Sequence, residues 1–188
     1  MKKIFKNLLT VSVLVFALQS CKSQEKVVVN REVETQRDGK MLLGQQTLDQ
    51  FLKEPYDSWY NEEYSNYQID EESIRDLRKE KFTSHQLIVF LGTWCSDSHR
   101  EFPRLMRILD EMKFPNEKLT VYGLNRKYES PSGEEGKYNI QRVPTIIVKK
   151  YGRELGRIIE FPKSGYLEKD LLEIVRKRDT SISDILKK

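Results

Sequence analysis

Leu87-Ile88-Val89-Phe90-Leu91 is the segment that most limits the possible folds: five apolar residues without a polar break, closed by Gly92. A run this short and this uniformly apolar reads as a β-strand buried on both faces, which requires covering layers on either side of a sheet. Thr145 to Val148 repeats the pattern. Between them, Phe102, Leu105, Met106, Leu109 and Met112 recur at steps of three and four, with Arg100, Arg104, Arg107 and Glu111 off the stripe, as an amphipathic helix requires. Leu119 to Leu124 is a further strand. Tyr151-Gly152-Arg153-Glu154 is a turn leading into a strand at Arg157 to Phe161, and Leu167, Leu171, Ile174 and Val175 mark a last helix. The order β-α-β-(short helix)-β-β-α places the chain in the α/β class, with residues 83–180 as the compact domain.

Upstream, residues 46–82 read as a helical extension. Leu48, Phe51 and Leu52 lie on one face before Pro55, and Asp70 is placed to cap a charged helix that carries Ile74 and Leu77 inward. Tyr56, Trp59, Tyr60, Tyr64 and Tyr67 form an aromatic cluster suited either to packing against the domain or to a peptide-binding surface. Residues 21–45, polar and mixed in charge, read as a tether with room for a short strand near Val27-Val28-Val29.

The first 20 residues are a leader. Lys2, Lys3 and Lys6 precede an 11-residue stretch, Leu8 to Leu18, interrupted only by Thr10 and Ser12. That is too short for a bilayer span but has the length of a signal-peptide core. Leu18-Gln19-Ser20-Cys21 resembles the lipobox of bacterial lipoproteins. In that family the cysteine, here Cys21, becomes a lipid-modified N-terminus that anchors the chain in the membrane. Lys22 and Ser23 carry no acid, which points to the outer membrane and a domain facing the periplasm. Of the net charge of +4, three units belong to the leader, so the body is close to neutral and no nucleic-acid partner is expected. Two cysteines exclude a disulfide-rich scaffold, and no spacing suits a metal. No phosphate-binding glycine motif occurs either, so neither metal nor cofactor is expected.

The chemistry centres on Trp94-Cys95-Ser96-Asp97-Ser98, where the apolar strand gives way to the helix. A cysteine at such a junction has its sulfur near the unpaired amides of the helix start, which favour thiolate over thiol. Asp97, Ser98 and His99 are not a hydrolytic triad, because neighbours on a helix point about 100° apart and do not converge. Asp97 complements the helix start. His99 either supports the thiolate or lies on the helix surface, and His85 is expected at the surface.

The stretch Leu87–Met112 resembles the thioredoxin superfamily: apolar strand, Trp-Cys-x-x-Ser in place of Trp-Cys-x-x-Cys, and a helix with Pro103 five residues after Ser98. The stretch Tyr138–Thr145 is similar to that family's short helix leading to a cis-proline, here Pro144. The resemblance implies a thioredoxin-like fold, a central mixed sheet flanked by helices. It implies Cys95 and Ser98 as the reactive pair of positions, and Trp94, Val143 and Pro144 as the surface that takes an extended substrate. Two positions depart from the pattern. Ser98 cannot form a disulfide with Cys95, and Val89 stands where thioredoxins keep a buried acid. The mature chain would hold one free thiol. Its expected partners are protein or small-molecule thiols and disulfides, engaged by exchange through Cys95 in an isomerase-like, thiol-protecting or substrate-holding role. The alternative is a redox-inactive binding module that has kept the fold.

Overall fold

The computed structural model describes residues 29–186. Cys21 and residues 1–20, expected to be a leader, lie outside the described residues. The elements are β1 (Arg31–Thr35), β2 (Gly39–Gln46), α1 (Asp57–Asn66), α2 (Glu71–Lys79), β3 (Gln86–Leu91), α3 (Ser96–Glu111), β4 (Leu119–Gly123), α4 (Glu134–Lys137), β5 (Thr145–Lys150), β6 (Arg153–Ile159) and α5 (Leu167–Leu186). Six strands form one sheet in the order β1-β2-β4-β3-β5-β6. Only the β3–β4 pair is parallel, and the other four pairs are antiparallel. This is the α/β class, and from β3 onward the elements follow the order β-α-β-(short helix)-β-β-α expected from the sequence.

The central strand β3 behaves as its composition requires. Leu87, Val89 and Leu91 face the main core with Phe102, Leu105 and Leu109 of α3, Leu77 of α2 and Leu171 of α5. Ile88 and Phe90 face the opposite side, where Leu124, Ile140, Val143 and Ile147 cover them. Val89, Phe90 and Leu91 are completely buried, and each side chain of this size contributes about 1.5–3 kcal/mol. The second face is thinner because α4 is a single turn, so the loops between β4 and β5 form its cover. Helix α3 runs on through Pro103 for 16 residues.

The helical extension is built into this core. Tyr56 and Tyr60 are buried, and Phe51 packs on Phe102 with centroids 4.6 Å apart. The aromatic cluster is therefore packing. Asp70 caps α2 by accepting a hydrogen bond from the Ser73 amide. Leu48–Leu52 is a 3₁₀ turn rather than an α-helix.

The reading of residues 21–45 as a tether needs correction. Residues 31–46 form the β1–β2 hairpin, with Arg31 paired to Leu43 and Thr35 to Gly39. Strand β2 then pairs with β4, and Gly123 lies so close to β2 that an added Cβ would sit 2.2 Å from the Leu42 carbonyl oxygen. The α/β body therefore includes residues assigned upstream of it. Three smaller expectations also change. Tyr151 and Gly152 alone make the β5–β6 turn, both at positive φ, so β6 begins at Arg153. The final helix continues without a break to Leu186. His85 is buried, not at the surface, with Nδ1 3.0 Å from the Phe82 carbonyl oxygen.

Candidate active site

Cys95 is the N-cap residue of α3, at the end of the loop that leaves β3. Its amide donates to the Gly92 carbonyl at 2.9 Å, and its own carbonyl receives the His99 amide, the first bond of the helix. The residue is partly exposed. It does not cap the first turn. Its thiol instead lies 3.5 Å from the Val143 carbonyl oxygen and points its S–H at it. The Val143–Pro144 peptide is cis. Cys95, Trp94 and Val143 thus belong to one apolar cluster on the thin face of the sheet, together with Ile140, Tyr128 and Tyr138. Pro144 is buried, and its carbonyl receives the Glu160 amide at 2.7 Å.

Trp94 is fixed at both ends. Its indole N–H donates to the Leu124 carbonyl at 2.8 Å. Its ring lies back over Gly92, where a Cβ would fall 2.6 Å from the indole. Ser98 is placed differently from Cys95. It is completely buried, and its Oγ accepts the Gly92 amide at 3.2 Å. Its hydroxyl therefore engages the backbone just past the strand end.

His99 takes neither of the places expected for it. Its Nε2 is 2.8 Å from the Thr93 carbonyl oxygen, which makes Nε2 the protonated nitrogen. Its ring stacks on Trp59 of α1 at 4.4 Å and 9°. Asp97 pairs with Arg100 at 2.8 Å, one turn on. Arg100 also reaches Glu101, whose carboxyl is pushed up by burial despite Arg100 and Arg104 nearby.

Arg126, Asp38 and Thr93 belong to the site and carry no motif. Arg126 lies over the Trp94 ring with its guanidinium carbon 4.8 Å from the centroid. Its Nε and Nη2 donate to the Asp38 carboxylate, the latter at 2.6 Å, and these bonds hold the Asp38 carboxyl below the ordinary range. Thr93 Oγ1 accepts the Leu42 amide at 3.2 Å, tying β2 to the loop that carries the cysteine. The one sequence signal for this part was Asp38-Gly39, a hairpin dipeptide between Val33 and Met41.

Chemically, the site offers one thiol on a partly buried residue, set against the Val143 carbonyl, with the Trp94 indole beside it and the Arg126 guanidinium over that indole. Among the described residues no group of acidic, histidine or cysteine side chains is arranged to hold a metal ion, and no helix is long and apolar enough to cross a membrane.

No protein-family model matches the chain, and no curated protein matches it. Among solved structures, the chain is similar to a protein of unknown function from Pseudomonas aeruginosa, at 15% identity over 66% of this chain and 82% of that one, with a TM-score of 0.47. It is also similar to oxidised thioredoxin O2 from Arabidopsis thaliana (18% identity, 60% and 90% covered, TM-score 0.35). A third is the oxidised form of mitochondrial thioredoxin 3 from Saccharomyces cerevisiae (22%, 51% and 84%, TM-score 0.35).

Proposed function

We propose that this chain is an extracytoplasmic thiol–disulfide exchange protein that works through Cys95 alone and is anchored to the envelope by lipid on Cys21. The observation that carries the reading is the 3.5 Å contact between the Cys95 sulfur and the carbonyl of Val143, beside a cis-proline and on a partly exposed residue. A nucleophile there meets a disulfide whose flanking chain lies along the Val143 backbone, with Trp94 as the neighbouring wall.

The step is a displacement. Cys95 gives its proton to solvent. The sulfur then turns from the Val143 carbonyl, which repels a thiolate, toward the amides of Ser96, Asp97 and Ser98, which make no bond within the helix. The thiolate attacks one sulfur of a substrate disulfide. A Cys95–substrate disulfide forms, the substrate S–S bond breaks, and the leaving thiolate takes a proton from solvent. Ser98 offers no second sulfur. Release therefore comes from a thiol of the substrate itself, whose effective concentration in such attack reaches about 10⁵ M or more. The net result is a rearranged or protected substrate and an unchanged protein.

The test is capture. Envelope protein is isolated with free thiols blocked at once, and adducts on Cys95 are read by mass spectrometry. Mixed disulfides on Cys95, lost in Cys95→Ala, are expected, together with a lipid-modified Cys21. An envelope in which Cys95 is always found as a free thiol overturns the exchange reading.

A second reading, a redox-inactive binding module, has its own observation: the thiol donates to a carbonyl and the neighbouring hydroxyl is buried. Alkylation of Cys95 no faster than that of an exposed cysteine in the unfolded chain favours this second reading.

A further inference from the structure

The side of the site formed by Arg126 has no place in the exchange step described above. Arg126 follows β4 and is held by a residue 88 positions earlier, Asp38, in the turn between β1 and β2. The carboxylate takes Nε and Nη2. Nη1 is left with no hydrogen bond among the described residues. The guanidinium lies over the ring of Trp94, the residue preceding the nucleophile, and is partly exposed, whereas the Asp38 side chain is nearly buried. Arg126 thus stands over the side chain that precedes Cys95 in the chain. The other cations nearby are occupied elsewhere: Arg100 with Asp97 and Glu101, Arg142 with Glu160.

Resting on the exchange reading, we infer that Arg126, held on the Trp94 face by Asp38, selects disulfides that carry a carboxylate close to the reacting sulfur. Such a carboxylate meets the free Nη1 edge as Cys95 attacks. An ammonium group in the same position meets a fixed positive charge. The displacement is the one already written: Cys95 replaces one half of the disulfide, and the other half leaves as a thiolate. Arg126 is a specificity residue in this step and takes no proton.

Three symmetric disulfides with the same two-carbon spacing isolate the charge: 3,3′-dithiodipropionate (anionic), 2-hydroxyethyl disulfide (neutral) and cystamine (cationic). Rates of mixed-disulfide formation at Cys95 are measured on the intact chain and divided by the rates for the same cysteine in the urea-unfolded chain, which removes intrinsic reactivity. The expected order is anionic, neutral, cationic, spanning about tenfold or more, as local fields at a charged site give. Arg126→Met brings the three normalised rates together. Arg126→Lys keeps part of the spread, and Lys127→Met keeps all of it. Raising the salt to 0.5 M compresses the spread in the unmodified chain. A far-ultraviolet circular dichroism melt shows whether Arg126→Met is folded. If it is not, the Arg126→Lys result and the salt response decide. Equal normalised rates in the unmodified chain overturn the charge selection and leave the exchange reading in place. Absence of any adduct at Cys95 overturns both.

Discussion

The Ser98 hydroxyl accepts the Gly92 amide across 3.2 Å in a fully buried position, joining the first turn of α3 to the end of β3. The bond gives the serine structural work of its own. Ser98→Ala leaves the Gly92 N–H without a partner. Its expected cost is about 1–3 kcal/mol in urea unfolding, with the slope of the transition unchanged. A loss under 0.5 kcal/mol contradicts this role for the hydroxyl.

Glu168, at the start of α5, accepts the Tyr67 hydroxyl at 2.7 Å and the Asp70 amide at 2.6 Å, and is itself completely buried. One carboxylate thereby fastens the helical extension to the last helix. Glu168→Ala orphans both donors and is expected to lower stability by about 3 kcal/mol. Tyr67→Phe removes one bond and leaves the carboxylate its amide partner, so it is expected to cost less than half as much. Chemical denaturation of the two variants checks the ratio.

Two buried tyrosines, Tyr56 and Tyr60, and the partly buried Tyr67 give the protein an alkaline limit. Burial, aided by Glu32, Asp110 and Glu168 respectively, raises Tyr56, Tyr60 and Tyr67 above the usual tyrosine range. In the unfolded chain these phenols lose their protons near pH 10, while the folded chain keeps them. Unfolding then releases protons, so stability is fully present below pH 10 and falls as the pH rises above it. Each such tyrosine steepens the fall by about 1.4 kcal/mol per pH unit. Tyr67→Phe is expected to flatten the decline between pH 10 and 11.5, followed by guanidinium titrations at each pH. An identical decline in the variant contradicts the assignment.

What the sequence disclosed, and what it hid, follows from the range of the interactions. β3, α3 and β5 were legible because Leu87–Leu91, the stripe from Phe102 to Met112 and Thr145–Val148 each carry their burial in adjacent residues. The cysteine and the cis-proline were legible through their local patterns. The β1–β2 hairpin was not. Its outer strand alternates Glu32, Val33 and Glu34 at the sheet edge, where one face meets water, and charged residues there read like a solvated linker. Arg126 was hidden for a different reason. Its partner Asp38 and its platform Trp94 come from separate segments, and no local spacing announces such a meeting. His85 looked like a surface residue because the 3₁₀ turn at Phe82–Ser84, which buries it, leaves no periodic trace.

The loop from Gly92 to Cys95 is held from three sides, and the last prediction concerns that grip. Strand β2 holds Thr93 through the Leu42 amide, α3 holds it through the His99 imidazole, and α1 backs the imidazole with the Trp59 ring. A loop restrained this way opens rarely, and local opening governs how often a reagent reaches a half-buried sulfur. His99→Leu removes the donor to the Thr93 carbonyl and is expected to speed alkylation of Cys95 by iodoacetamide several-fold, at a stability cost of about 1 kcal/mol. His99→Gln restores an N–H near the same point and brings the rate part of the way back. Trp59→Ala acts on the same loop at one remove, through a ring contact of about 0.5–1.5 kcal/mol. Its effect should therefore be largely absent when His99 is already leucine. Additive rates in the double variant would show that Trp59 and His99 act on Cys95 separately, and the chain of contacts from α1 to the nucleophile would then carry no coupling.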